Sequence, residues 1–169
     1  PLPQKIFPLR FGGKSVSVGN IRRCRSSESD GKWYWMYFDL DWGFFRKEAA
    51  PVTYILSHGN GDIELIHAVL SSEAGRDLYL TRWAELLETN LNETYILGYI
   101  DNLVAQIESE MPRDRARWGK TMDQWNYYVD YIRSIVKDNA RTKTILWDLQ
   151  NYFNLSDAEM EHYFSKVME

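Results

Sequence analysis

The sequence predicts an α+β chain that is mostly α, a short β-hairpin region followed by about six helices. Three observations carry this. The stretch Lys32 to Phe38 is dense in aromatic residues and almost free of helix punctuation, a composition that favours a strand. The run just before it, Ser26 to Gly31, reads Ser-Ser-Glu-Ser-Asp-Gly, which is turn chemistry. From Ile63 onward apolar residues recur at helical intervals and no strand-like run returns.

Taken in order, Pro1 to Ser17 holds three prolines and two adjacent glycines without a clear period, and reads as irregular with a short strand near Lys5 to Leu9. Val16 to Cys24 reads as a strand, with Asn20 inside it or just before it. With the turn and the aromatic strand it makes the hairpin. Alternation puts Trp33, Trp35 and Tyr37 on one face and Tyr34, Met36 and Phe38 on the other. Lys47 to Asp62, with Pro51, Gly59 and Gly61, reads as a loop.

The helices then follow. Ile63, Ile66, His67 and Leu70 mark a short one. Ser72 caps the next, running to about Glu88 with Leu78, Trp83, Leu86 and Leu87 as its apolar stripe. Asn92 caps a third, with Ile96, Ile100, Leu103, Val104 and Ile107 inward. Pro112 marks a break or a new first turn, and Gly119 closes the basic stretch from Arg113 to Lys120. Thr121 caps a fourth long helix with Trp125, Val129, Ile132 and Val136 on one face. Ala140 to Phe153 is a fifth, carrying Ile145, Leu149 and Phe153. Ser156 with Glu159 is a capping box for the last. The expected division is residues 1–62 with the hairpin and the acidic motif, and residues 63–169 as a helical subdomain.

Composition limits the function. The net charge of −4 disfavours a nonspecific nucleic-acid binder. No run of about 18 apolar residues exists, so no membrane span is expected. The single Cys24 leaves no intrachain disulfide and no Cys-based zinc site. A start at Pro1 without Met is read as a piece cut from a longer protein.

The chemistry concentrates at Asp39 and Asp41, at the carboxyl end of the aromatic strand, with Gly43 following. Two carboxylates this close repel one another, and an unpaired buried charge is costly. A divalent cation with hard oxygen ligands, Mg²⁺ or Mn²⁺, resolves this. The alternative is that the strand ends at the surface and both are solvated turn residues. Arg113, Arg115 and Arg117 allow an anion-binding patch, against a solvated face with local ion pairs. His58, His67, Asp62 and Glu64 allow a metal cluster, against ordinary loop and core histidines. Asn92-Glu-Thr94 and Asn154-Leu-Ser156 match the glycosylation sequon but serve more simply as helix caps.

The run Gly19-Asn20-Ile21-Arg22, followed after a polar turn by Trp33-Tyr-Trp-Met-Tyr-Phe-Asp39-Leu-Asp41-Trp42-Gly43-Phe44, resembles the C-terminal portion of the kinase-like spore-coat protein H (CotH) family. Leu70 to Asn90 is similar to the helix after that family's acidic motif. Ile107-Glu-Ser-Glu-Met-Pro-Arg113, Arg117-Trp118-Gly119 and Trp125 resemble its later helices. The likeness spans roughly residues 18 to 155. It implies part of the C-terminal lobe of an atypical protein-kinase-like fold, in a bacterial family that transfers phosphate from ATP to protein Ser/Thr. By the resemblance Asp39 is the metal-binding aspartate, Asp41 a second acidic group beside it, and Asn20 the amide that holds a second metal. Mg²⁺ (or Mn²⁺) with ATP would be the cofactor, and a coat or surface protein the substrate or partner.

Three departures limit that expectation. The catalytic base of kinase loops lies five residues before the metal-binding Asn, and Ser15 stands there, with no Asp anywhere before Asn20. The Gly-rich loop and the ATP-anchoring Lys of a nucleotide lobe are not in the sequence. Pro1 to Ser17 does not resemble the family. The chain alone is therefore expected not to be a competent kinase. The rival expectation is a noncatalytic helical interaction module, and an exposed hairpin edge would favour self-association.

Overall fold

The computed structural model describes residues 21–25, 33–37, 50–58 and 62–168 of the 169. Two five-residue strands, β1 (Ile21–Arg25) and β2 (Trp33–Tyr37), pair antiparallel, with Ile21 opposite Tyr37 and Arg25 opposite Trp33. The residues that join them lie outside the described residues. Everything described after residue 50 is mostly helical: α1 (Pro51–His58), α2 (Asp62–Leu70), α3 (Glu73–Glu88), α4 (Glu93–Ile107), α5 (Met111–Arg117), α6 (Met122–Val136), α7 (Ala140–Phe153) and α8 (Asp157–Met168).

The core is built by α1, α3, α7 and α8. Val52 and Leu56 of α1 meet Leu80 and Leu87 of α3, Ile145, Leu146 and Leu149 of α7, Leu155, and Met160 and Phe164 of α8. Helix α7 is its centre and buries five residues. The expected loop from Lys47 to Asp62 is in part helix α1. Pro51 supplies the preset φ of a first helical residue, and Val52 and Leu56, four apart, give α1 one buried face.

Sequence-local signals set most other boundaries. The Ser72 hydroxyl accepts from the Gly75 N–H at 3.1 Å and caps α3. Gly75 is required where α2 turns into α3, because a Cβ there would stand 2.0 Å from the Val69 carbonyl oxygen. Asn92 caps α4, and Thr121 with Gln124 forms a capping box on α6. Pro112 sits in the first turn of α5. Gly119 takes a positive φ of 61° between α5 and α6. Asp138 and Asn139, both left-handed, separate α6 from α7. Asn154 ends α7 in the left-handed conformation, and the Leu155 N–H returns to the Gln150 carbonyl at 2.9 Å. The Ser156 N–H donates to Glu159 Oε2 at 2.8 Å, and the Glu159 N–H to Ser156 Oγ at 3.3 Å, closing the expected box on α8.

Two apolar stripes differ from expectation. On α3 the buried line is Leu80 and Leu87, with Trp83 and Ala84 packed beside them, while Leu78 is 67% exposed. Leu78 precedes Leu80 by two residues, about 200° round the helix, and so points away. On α4 nothing is buried. Ile96, Ile100 and Val104 are half-covered, but Leu103 and Ile107 face out. The reason is that α4 packs mainly on α6, and its other sides meet little else among the described residues.

Candidate functional site

Asn20, Asp39 and Asp41 lie outside the described residues. What is described is the ladder between them. Ile21, next in sequence to Asn20, pairs with Tyr37, two residues before Asp39. Among the described residues, no group of three or more His, Cys, Asp or Glu side chains is arranged to hold a metal ion. The His67 ring is spent locally, with Nε2 2.8 Å from the Leu56 carbonyl oxygen, joining α2 to α1.

Two of the three arginines of the basic stretch on α5 are engaged locally. Arg115 is ion-paired with Asp114, its neighbour in sequence. The Arg117 guanidinium lies over the Trp118 ring, 5.5 Å from the centroid. The sequon residues act as caps. Asn92 accepts from the Tyr95 N–H at 2.8 Å while its amide nitrogen donates to the Glu88 and Thr89 carbonyls. A shallow polar hollow at this end of α4 is lined by Thr89, Asn92, Glu93, Tyr95 and Asn139, and Glu93 already accepts from the Asn139 N–H at 2.9 Å.

The most unusual polar group was not singled out by sequence reasoning. Asp148, in the middle of α7, is fully buried. Its Oδ2 accepts from the Val52 N–H at 2.6 Å and the Thr53 N–H at 3.1 Å, and its Oδ1 accepts from the Thr53 hydroxyl. Helix α1 carries no capping side chain of its own, because Ala49 and Ala50 precede Pro51. Pro51 has no N–H to satisfy, and the Tyr54 N–H reaches the Ala50 carbonyl. Asp148 thus takes both remaining donors of the first turn, where a negative charge also meets the positive end of the helix dipole. Burial pulls the half-buried Arg141 guanidinium below its ordinary pKa, and the Asp148 charge partly offsets that. The sequence signal was available: an Asp three residues after Ile145 and next to Leu149, on the face that the apolar spacing of α7 marks as inward.

A mostly helical domain with an acidic motif ahead of it fits the class the sequence resembles. The family model of the CotH kinase protein matches residues 13–143, and the chain belongs to that family. The match takes in Asn20, Asp39 and Asp41. It begins at residue 13, so residues 13–17, Ser15 included, fall inside it, contrary to the expectation for Pro1 to Ser17. Comparison with curated proteins and with solved structures finds no match.

Proposed function

We propose that this chain supplies the metal side of a CotH-type kinase site, in a protein that transfers the γ-phosphoryl group of ATP to protein Ser/Thr. Asp39 would hold Mg²⁺ (or Mn²⁺) against the nucleotide phosphates, with Asn20 assisting and Asp41 beside it. The kinase-like lobe and its hairpin belong to the same reading. The observation that carries it is the family match across 13–143, which contains all three residues. Two supports accompany it. The donor set is all hard oxygen, which suits Mg²⁺. The ladder register pairs Ile21, next in sequence to Asn20, with Tyr37, two residues before Asp39 in sequence. The metal would neutralise the charge on the bridged phosphates. With Ser15 at the base position, this chain by itself would not complete the transfer.

Thermal stability with and without Mg²⁺ and ATP tests it. A ligand present at about 100 times its dissociation constant adds about 2.7 kcal/mol, several degrees in Tm for a chain of this size. The shift should vanish in Asp39→Ala. No shift in either protein refutes the metal reading.

A second reading, a noncatalytic module that docks a coat or surface protein, is favoured by one observation. Tyr95, Tyr99, Leu103 and Ile107 recur every four residues along α4 and are 45–60% exposed. Self-association through the edges of the two-stranded ladder belongs to this reading too. Light scattering at high concentration tests it: a monomer counts against self-association.

A further inference from the structure

The outward side of α4 is unlike an ordinary solvated helix face. Tyr95, Tyr99, Leu103 and Ile107 stand exposed along it, over about 18 Å of helix axis. A solvated face normally carries charge, yet Asp101 is the one charged residue from Thr94 to Ile107. Its carboxylate is bound to Arg133 of α6 at 2.8 Å. Gly98 lies on the exposed side as well, and a Cβ added there would meet nothing within 4 Å. Glycine in mid-helix is destabilising relative to alanine, and no contact among the described residues requires it here. It lets a second backbone come close.

The ends of this face are acidic. Between Arg82 and Arg113 the chain holds Glu85, Glu88, Glu93, Asp101, Glu108 and Glu110 and no basic residue. Glu93 lies in the first turn of α4, and Glu108 and Glu110 follow its last. Among the described residues neither Glu108 nor Glu110 has an ion-pair partner. An apolar centre depleted of charge, rich in Tyr and rimmed by charged groups is the anatomy of a protein interface. A second copy of α4 does not suit it, because either direction of pairing sets acid against acid. Anionic membranes and nucleic acids meet the same repulsion.

We propose that α4 docks an amphipathic helix of a partner protein, one whose apolar stripe is flanked at both ends by Lys or Arg. Apolar residues of the partner at three- to four-residue spacing pack along Tyr95, Tyr99, Leu103 and Ile107. Its basic groups, about 22 Å or about fifteen helical residues apart, face Glu93 at one end and Glu108 with Glu110 at the other. The inference rests on the docking reading given above, and adds to it the face used and the chemistry of the partner.

The test is fluorescence anisotropy of two labelled helical peptides of about 20 residues, long enough to span the face, titrated with the full chain. One carries a leucine stripe with lysines at both ends; the other has the same stripe with glutamates there. The lysine peptide should bind about tenfold more tightly, and added salt should narrow the gap. Leu103→Lys and, independently, Tyr99→Lys should each weaken its binding about tenfold, as loss of a central anchor does, with circular dichroism showing each variant folded. Leu78→Lys, the same added charge at an exposed position of α3, should bind as the unsubstituted chain does. Equal binding of both peptides, lost in Leu103→Lys, overturns the basic-partner inference and leaves docking on α4 standing. Binding of the lysine peptide that neither α4 variant weakens also overturns it, since the peptide then sits elsewhere. A concentration-dependent dimer dispersed by Leu103→Lys overturns it in favour of a second copy. Binding of neither peptide overturns the inference and the docking reading together.

Discussion

Replacing Asp148 by Ala should be among the most damaging single substitutions in the helical core, more so than its polar identity suggests. The carboxylate receives two backbone N–H groups and one hydroxyl from α1. Val52 is 1% exposed, so water does not replace the lost acceptor, and an orphaned buried N–H costs about 1–3 kcal/mol. Loss of a helix N-cap adds about 1 kcal/mol. These contributions overlap, so about 2–4 kcal/mol is the expected total. That is a large share of a typical stability of about 5–15 kcal/mol. Urea unfolding followed by tryptophan fluorescence reads it as a lower midpoint at unchanged slope. Thr53→Val should lose only about 1 kcal/mol, because both backbone bonds remain. A loss below about 1 kcal/mol in Asp148→Ala would refute the reasoning, since α1 would then be held by packing alone.

Two further outcomes are expected. Leu80→Ala should cost about 2–5 kcal/mol in thermal unfolding, whereas Leu78→Lys, on the opposite face and 67% exposed, should stay within about 0.5 kcal/mol; the reverse order would overturn the assignment of the α3 stripe. The Glu159 carboxyl is held below its ordinary pKa of 4.5, first by the Ser156 backbone N–H, then by the Ser156 side chain, with the Arg76 charge a smaller contribution. Its folded-state pKa is depressed, so its contribution is present above the ordinary value and is lost as pH falls through the folded one. Glu159→Gln should flatten the stability curve in that acid window and leave its shape near neutrality unchanged; identical acid profiles would contradict the capping-box electrostatics.

Much of this protein was legible in the sequence because the relevant signals are local. A cap acts on N–H groups two or three residues away, so Ser72, Asn92, Thr121 and the Ser156–Glu159 box announced the starts of α3, α4, α6 and α8 without any tertiary information. The family likeness was legible for a similar reason, since it lies in the order and spacing of short motifs. Periodicity told which residues of α6 and α7 share a face. It did not tell whether a face is covered. The apolar line of α4 faces outward at Leu103 and Ile107 because covering depends on what packs there, and α6 reaches only part of it. Nor did it reveal α1, whose cap is supplied by Asp148 from the far side of the core. The sequence by itself determined where α3, α4, α6 and α8 begin and which family the motifs belong to, because those depend on neighbours along the chain. Only the tertiary structure decided which stripes are buried and which carboxylate fixes α1, because burial and long-range hydrogen bonding depend on neighbours in space.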